Sequence, residues 1–276
     1  MAGPSQKKAE SGLRFAVTTS LRPAPGLVES AKQLAAHFNV PFAERRDLSV
    51  KNLAGLYNAD GLLVVSAKRI SFIMGENEFF FHPGLAGLRI KEINNGKTDQ
   101  MISAMSLKEG YSILDCTMGL GTDAIVASYV TGDAGRVTAL ESSPVICELV
   151  KRGLHSYADE DSQITDAMRR VKVINAKYKD YLASLKPGSC DIIYFDPMFR
   201  SPRRRSPGIN AARMLADHDP VDRETVDLAL NAAARRVVLK ERRDSAEFER
   251  LGFKKIVGGK YSPVAYGVLE RLGVPQ

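Results

Sequence analysis

The chain has 276 residues, enough for one large domain with an appendage or for two small ones. Hydrophobic residues make up 44% and charged residues 26%, so a sizeable core is expected and wholesale disorder is not. A net charge of +7 favours an anionic partner such as RNA. The cysteines, Cys116, Cys147 and Cys190, stand far apart with no CxxC, which argues against a disulfide framework and a structural zinc site, and the four scattered histidines suggest no other metal site. With no apolar run of membrane-spanning length, a reducing cytoplasmic setting is the expectation, and a membrane is not an expected partner.

Residues 1–12 are small and polar, lack the apolar stretch of a signal peptide and read as a disordered leader. Residues 13–106 read as a small α+β module. Within it, 13–19 has a strand pattern, and 25–38 a helical one with Leu27, Ala31, Leu34, Ala35 and Phe38 on one face. Short apolar runs follow at 61–66, 70–74 and 78–82. Residues 87–97 (GLRIKEINNGK) read as a polar loop, after which Thr98 is placed to cap a helix through Met105.

From Tyr111 strands alternate with helices, and residues 107–276 read as one α/β domain. Strands are expected at 112–115, 136–140, 171–174, 191–195 and 236–239. Helices are expected at 123–130 and at 144–156, the latter with Pro144 in its first turn, where a missing N–H costs nothing. The runs 253–257 and 264–269 suit an antiparallel pair. Such alternation implies a mostly parallel, Rossmann-like sheet with helices on both faces, an antiparallel last strand, and ligands at the carboxyl ends of the strands.

The first of these strands runs into Asp115-Cys116-Thr117-Met118-Gly119-Leu120-Gly121-Thr122-Asp123-Ala124. Glycines let the backbone approach a ligand, and a helix N-terminus offers free N–H groups. Two cofactors compete for this loop. As G-x-G-x-x-A it fits a dinucleotide, with Glu141 binding the ribose. As D-x-x-x-G-x-G it fits S-adenosyl-L-methionine (SAM), with Glu141 on the same vicinal diol. Asp115 favours SAM, because a carboxylate attracts a sulfonium amino acid and repels a pyrophosphate. A plain structural turn is the third reading.

The strand at 191–195 ends in Asp196-Pro197-Met198-Phe199. An exocyclic amine of a nucleobase is a poor nucleophile, since its lone pair is delocalised into the ring. A carboxylate at Asp196 and the carbonyl of Pro197 can accept its two N–H groups and favour a tetrahedral nitrogen. Phe199 can stack on the base. An ordinary Asp-Pro turn is the plain alternative, but the order of loop, acid and tetrapeptide favours the chemical reading. Arg200, Arg203, Arg204 and Arg205 follow directly and are placed to hold phosphates, as is Lys240 at the end of the next strand.

Taken together, Asp115-x-Thr117-x-Gly119-Leu120-Gly121-x-Asp123-Ala124, Leu140-Glu141-x-x-Pro144 and Asp196-Pro197-Met198-Phe199 resemble the RsmJ group, bacterial small-subunit rRNA guanine-N2 methyltransferases. The resemblance covers residues 87–267 and is loose before them. It implies a class I methyltransferase fold, SAM as cofactor, and small-subunit rRNA or a ribosomal particle as partner. It also implies cofactor contacts at Thr122, Asp123, Glu141, Ser142, Lys177, Tyr178 and Asp196. Thr122 stands where the group usually has arginine, and Ser142-Ser143 where it has Arg-Asn. A nicotinamide-dependent oxidoreductase would leave the Asp196 motif unexplained, and an RNA-binding assembly factor with a relict pocket would not keep Asp115, Glu141 and Asp196.

Overall fold

A computed structural model describes residues 12–197, 213–216 and 219–271. The chain divides into two units, Met1–Phe81 with Arg204–Leu215, and His82–Arg203 with Ala216–Gln276. Most of the expected leader, together with Phe199, Arg200, Arg203, Arg204 and Arg205, lies outside the described residues.

The first unit holds a four-stranded sheet in the order β1 (Phe15–Thr19), β2 (Gly61–Val65), β3 (Ile70–Met74), β4 (Asn77–Phe80). Strands β1 and β2 are parallel, and the others antiparallel. Helix α1 (Pro25–Phe38) starts on a proline at its first turn and ends where Asn39 turns left-handed at φ 52°. A second helix, α2 (Val50–Leu56), is capped by Ser49 and buries Leu53. Ala16, Leu53, Leu62 and Val64 form part of the core.

The second unit starts earlier than residue 107. Helices α3 (Ala86–Asn94) and α4 (Gln100–Met105) belong to it, because α3 packs on later helices and α4 on later strands of the same unit. The expected polar loop at 87–97 is therefore mostly helix. Ala86 and Ile90, four residues apart, are its buried stripe. Asp99, not Thr98, caps α4, its carboxylate accepting the Ile102 N–H at 3.1 Å.

The rest of this unit alternates β5 (Ser112–Asp115), α5 (Thr122–Thr131), β6 (Arg136–Glu141), α6 (Pro144–Ser156), α7 (Ser162–Arg170), β7 (Lys172–Asn175), α8 (Tyr178–Ala183), β8 (Cys190–Phe195), α9 (Arg223–Ala232), β9 (Ala233–Arg242), α10 (Glu247–Arg250), β10 (Lys255–Val257) and β11 (Val264–Glu270). The sheet order is β10-β11-β9-β8-β5-β6-β7, parallel from β9 to β7, with β11 antiparallel to β9 and β10. This is the class I Rossmann-like arrangement with an antiparallel end. One core cluster gathers Leu114, Ile193, Phe195, Val237, Leu239 and Val226, so β5, β8 and β9, the strands that carry the site, are also well anchored.

Candidate active site

The site follows from strand register. β5 lies between β6 and β8, so the loops leaving these three parallel strands emerge side by side. Backbone hydrogen bonds stitch the glycine loop to its neighbours: the Cys116 N–H donates to Tyr194 O, and the Met118 N–H to Leu140 O, both at 2.9 Å. Thr117 joins the loop to the tetrapeptide, its Oγ1 accepting the Asp196 N–H at 2.6 Å. The Thr117 N–H in turn donates to Asp115 Oδ1 at 3.0 Å. The loop turns on Gly119 (φ 52°) and Gly121 (φ 78°), a conformation that favours glycine. A Cβ on Gly119 would meet only open space, so the backbone there is accessible to a ligand. Thr122 Oγ1 donates to Pro83 O at 3.4 Å.

Glu141 ends β6, and its Oε1 accepts the Ser143 N–H at 2.8 Å. Burial pushes its carboxyl up to about 7, against the pull of the Ser143, Gly119 and Ser142 backbone N–H groups. The Asn175 amide clamps the turn, donating to Glu141 O at 2.7 Å and Ser142 O at 3.0 Å. Lys177 Nζ stands 3.7 Å from the Asp219 carboxylate, and the Tyr178 hydroxyl donates to Asp219 O at 3.1 Å. Asp115 is buried at the end of β5, and burial raises its carboxyl to about 8.

Phe195 pairs with Leu239 in parallel register, so Asp196 and Lys240 come next, level with each other. Lys240 Nζ donates to Asp196 Oδ2 at 2.7 Å and to Asp123 Oδ2 at 3.1 Å. The Tyr194 hydroxyl donates to Asp123 Oδ2 at 2.7 Å. Arg89, from α3, pairs with Asp123 and spans to Asp99 at 2.8 Å. Burial alone would raise the Asp123 carboxyl, but Lys240, Arg89 and Tyr194 outweigh it and hold it far below the usual range. Asp196 goes the other way: burial and the Asp123 charge raise it to about 6 although Lys240 opposes them.

The structure thus brings Asp115, Gly119, Gly121, Thr122, Asp123, Glu141, Ser142, Asp196 and Pro197 to adjoining strand ends. Lys240 is corrected. It is not a free cation for phosphates, because its side chain is only 20% exposed and two carboxylates already hold it. Arg89, Asn175 and Tyr194 were missed by sequence reasoning, and Thr117 stood in the motif without a role of its own. Tyr194 could have been found by alternation, since it shares a face of β8 with Asp196; the others depend on tertiary contacts. Buried acids of raised pKa beside an accessible glycine backbone suit a ligand that brings a cation and a vicinal diol. Among the described residues no cluster has the makings of a metal site, and no helix is long and apolar enough to cross a membrane.

Comparison with known proteins agrees with this chemistry. The SAM-dependent methyltransferase family model matches residues 77–259. YpiP of Bacillus subtilis (strain 168), an uncharacterized protein, is 36% identical over 255 residues, covering 92% of this chain and 98% of that protein. Ribosomal RNA small subunit methyltransferase J of Thioalkalivibrio sulfidiphilus (strain HL-EbGR7) is 30% identical over 223 residues, covering 78% and 83%. The fold is shared with the SAM-dependent methyltransferase NGO1261 from Neisseria gonorrhoeae, at TM-score 0.63 and 16% identity over 94% of this chain and 97% of that one. Of the two cofactors that compete for the glycine loop, the family selects S-adenosylmethionine. The chain belongs to the SAM-dependent methyltransferase family, in its RsmJ-like group.

Proposed function

We propose that this enzyme methylates the exocyclic N2 of a guanine in small-subunit rRNA. The observation that carries this reading is Asp196-Pro197 held beside the glycine loop through Thr117. That hydrogen bond supports reading Asp196 as an amine acceptor beside a cofactor cradle. The relatives named ribosomal RNA small subunit methyltransferase J support RNA as the substrate.

S-adenosylmethionine supplies an electrophilic methyl group on a sulfonium centre. Glu141 accepts the ribose hydroxyls, and the backbone at Gly119 and Gly121 gives the close approach. Asp115, held largely protonated at neutral pH by burial, would ionise as the cation approaches and then contribute negative potential toward it. By resemblance, Thr122, Asp123, Ser142, Lys177 and Tyr178 complete the pocket. Asp196 accepts one N–H of the target amine and the Pro197 carbonyl the other, which localises the nitrogen lone pair. As the nitrogen forms its fourth bond, to the methyl carbon, the methyl–sulfur bond would break and S-adenosylhomocysteine would leave as a neutral thioether; the nitrogen turns cationic, and the ionised Asp196 carboxylate stands ready to hold the proton it releases. Phe199 stacks on the base, and Arg200, Arg203, Arg204 and Arg205 hold flanking phosphates.

The test is nucleoside mass spectrometry of small-subunit rRNA from a strain lacking the gene. Loss of one N2-methylguanosine, restored by the wild-type gene but not by the Asp196→Ala variant, is the expected outcome. An unchanged set of methylated nucleosides would remove the assignment.

A further inference from the structure

An asparagine amide presents an acceptor oxygen at every pH. Aspartate differs: once its carboxyl is protonated, one of its two oxygens becomes an O–H donor, and a donor repels an amine N–H. The protonated acid keeps one acceptor oxygen but loses its charge, so Asp196 accepts the amine best, and can take up its proton, while ionised. Burial and the Asp123 charge on α5 both push Asp196 toward protonation, and Asp115 on β5 is a further acid nearby. Two close carboxylates without a cation drive one of the pair to protonate. Lys240 on β9 is that cation, 2.7 Å from Asp196 Oδ2 and 3.1 Å from Asp123 Oδ2. Tyr194 on β8 donates its hydroxyl to Asp123. Tyr266 on β11, opposite Lys240 in register, is a further polar neighbour of the ammonium. Arg89 on α3, with Asp99, takes the far oxygen of Asp123, so Lys240 is shared by two carboxylates and Asp123 is shared by two cations.

We propose that Lys240 is the positioning residue for methyl transfer: it anchors the Asp196 carboxylate by one oxygen, keeps it ionised and fixes its direction toward the target amine. This rests on the reading of Asp196 as the amine acceptor. In this role Lys240 acts on the amine through Asp196. Asp123 completes the device by holding the ammonium group from the opposite side.

The experiment compares wild type, Lys240→Met, Lys240→Gln and Lys240→Arg in the full chain, each alone and with Asp196→Asn. The first readout needs no substrate. The Asp196 carboxyl is titrated by carbon-13 NMR of aspartate-labelled protein and assigned by its loss in Asp196→Asn. Its midpoint should rise by about one pH unit or more in Lys240→Met and Lys240→Gln, and stay near wild type in Lys240→Arg. The second readout is single-turnover methyl transfer to small-subunit rRNA lacking the modification. At pH 7 the neutral variants should lose roughly tenfold or more, with the acid limb of the profile displaced upward and KM for S-adenosylmethionine held within about twofold. Arginine should restore most of the rate. In the Asp196→Asn background, removing the Lys240 charge should cost only about twofold and leave the profile flat. Lys240→Gln keeps donors toward both carboxylates and covers the case in which Lys240→Met fails to fold. An unshifted Asp196 midpoint in the neutral variants overturns the proposal, as does an equal loss of rate with and without the Asp196 carboxylate. If wild type transfers no methyl group to the rRNA, the substrate reading fails while the titration still decides the role of Lys240.

Discussion

At the scale of single residues the site is built from acids that burial has made reluctant to ionise. Glu141 is raised to about 7 and Asp115 to about 8. Both lie above the unfolded values of about 4, so their protonated forms favour folding. That stability is fully present below about pH 4 and is lost as the pH climbs toward 7 and 8. Glu141→Gln keeps the acceptor for the Ser143 N–H and removes the buried charge. It should stabilise the protein at pH 8 by on the order of 1–3 kcal/mol in urea unfolding, while weakening S-adenosylmethionine by about 1.5–3 kcal/mol through the lost charged hydrogen bond. Loss of both stability and binding would show that Glu141 serves the fold instead. A related expectation concerns pH. Cofactor hydroxyls donate to the ionised form, so affinity should rise through pH 7, with binding about tenfold weaker at pH 6 than at pH 8. Calorimetry at the two pH values gives the ratio, and a pH-independent affinity would place the diol elsewhere.

Among the elements, α3 reaches the site from well before the glycine loop in sequence. Arg89 joins α3 to Asp99 at the start of α4 and to Asp123 at the start of α5. Arg89→Met removes one partner of a buried pair and leaves Asp123 with Lys240 as its remaining cation. Such losses cost about 3–5 kcal/mol, and the denaturation midpoint should fall accordingly. A change of less than about 0.5 kcal/mol would mean that solvent already screens the pair. The sequence pattern of 87–97 hid this helix. The glycines, asparagines and charges of 87–97 carry turn signals, while the buried stripe of the helix is only Ala86 and Ile90. Helix α7 escaped for a similar reason, with Ile164, Ala167 and Met168 the buried members of an otherwise polar segment. Strand β5 and helices α1 and α6 were legible to the residue, because apolar periodicity and proline at the first turn mark them, and β3 coincides with the apolar run at 70–74. The glycine loop, Glu141 and Asp196 were legible because they are contiguous motifs at strand ends. What Lys240 does was not, since its partners are set by the register of β8 with β9 and by the docking of α5.

For the molecule as a whole, the net charge of +7 and the run Arg203-Arg204-Arg205 bear on how the proposed RNA substrate would be held. If these arginines meet phosphates, replacing all three with alanine should flatten the dependence of log K on log salt by roughly 0.7 for each phosphate no longer neutralised, or about 2 in all for single-stranded RNA. Filter binding from low to moderate salt measures that slope, and an unchanged slope would make the run a solvated segment. The central claim is that Asp196 serves chemistry rather than folding. It is tested most directly by single-turnover transfer of labelled methyl from S-adenosylmethionine to small-subunit rRNA, with thermal melts on the same samples. Asp196→Ala should melt within a few degrees of wild type and turn over about a hundredfold or more slower, with Asp196→Asn between the two and N2-methylguanosine as the labelled product. Near-normal transfer by Asp196→Ala would make the tetrapeptide a structural turn and contradict that claim.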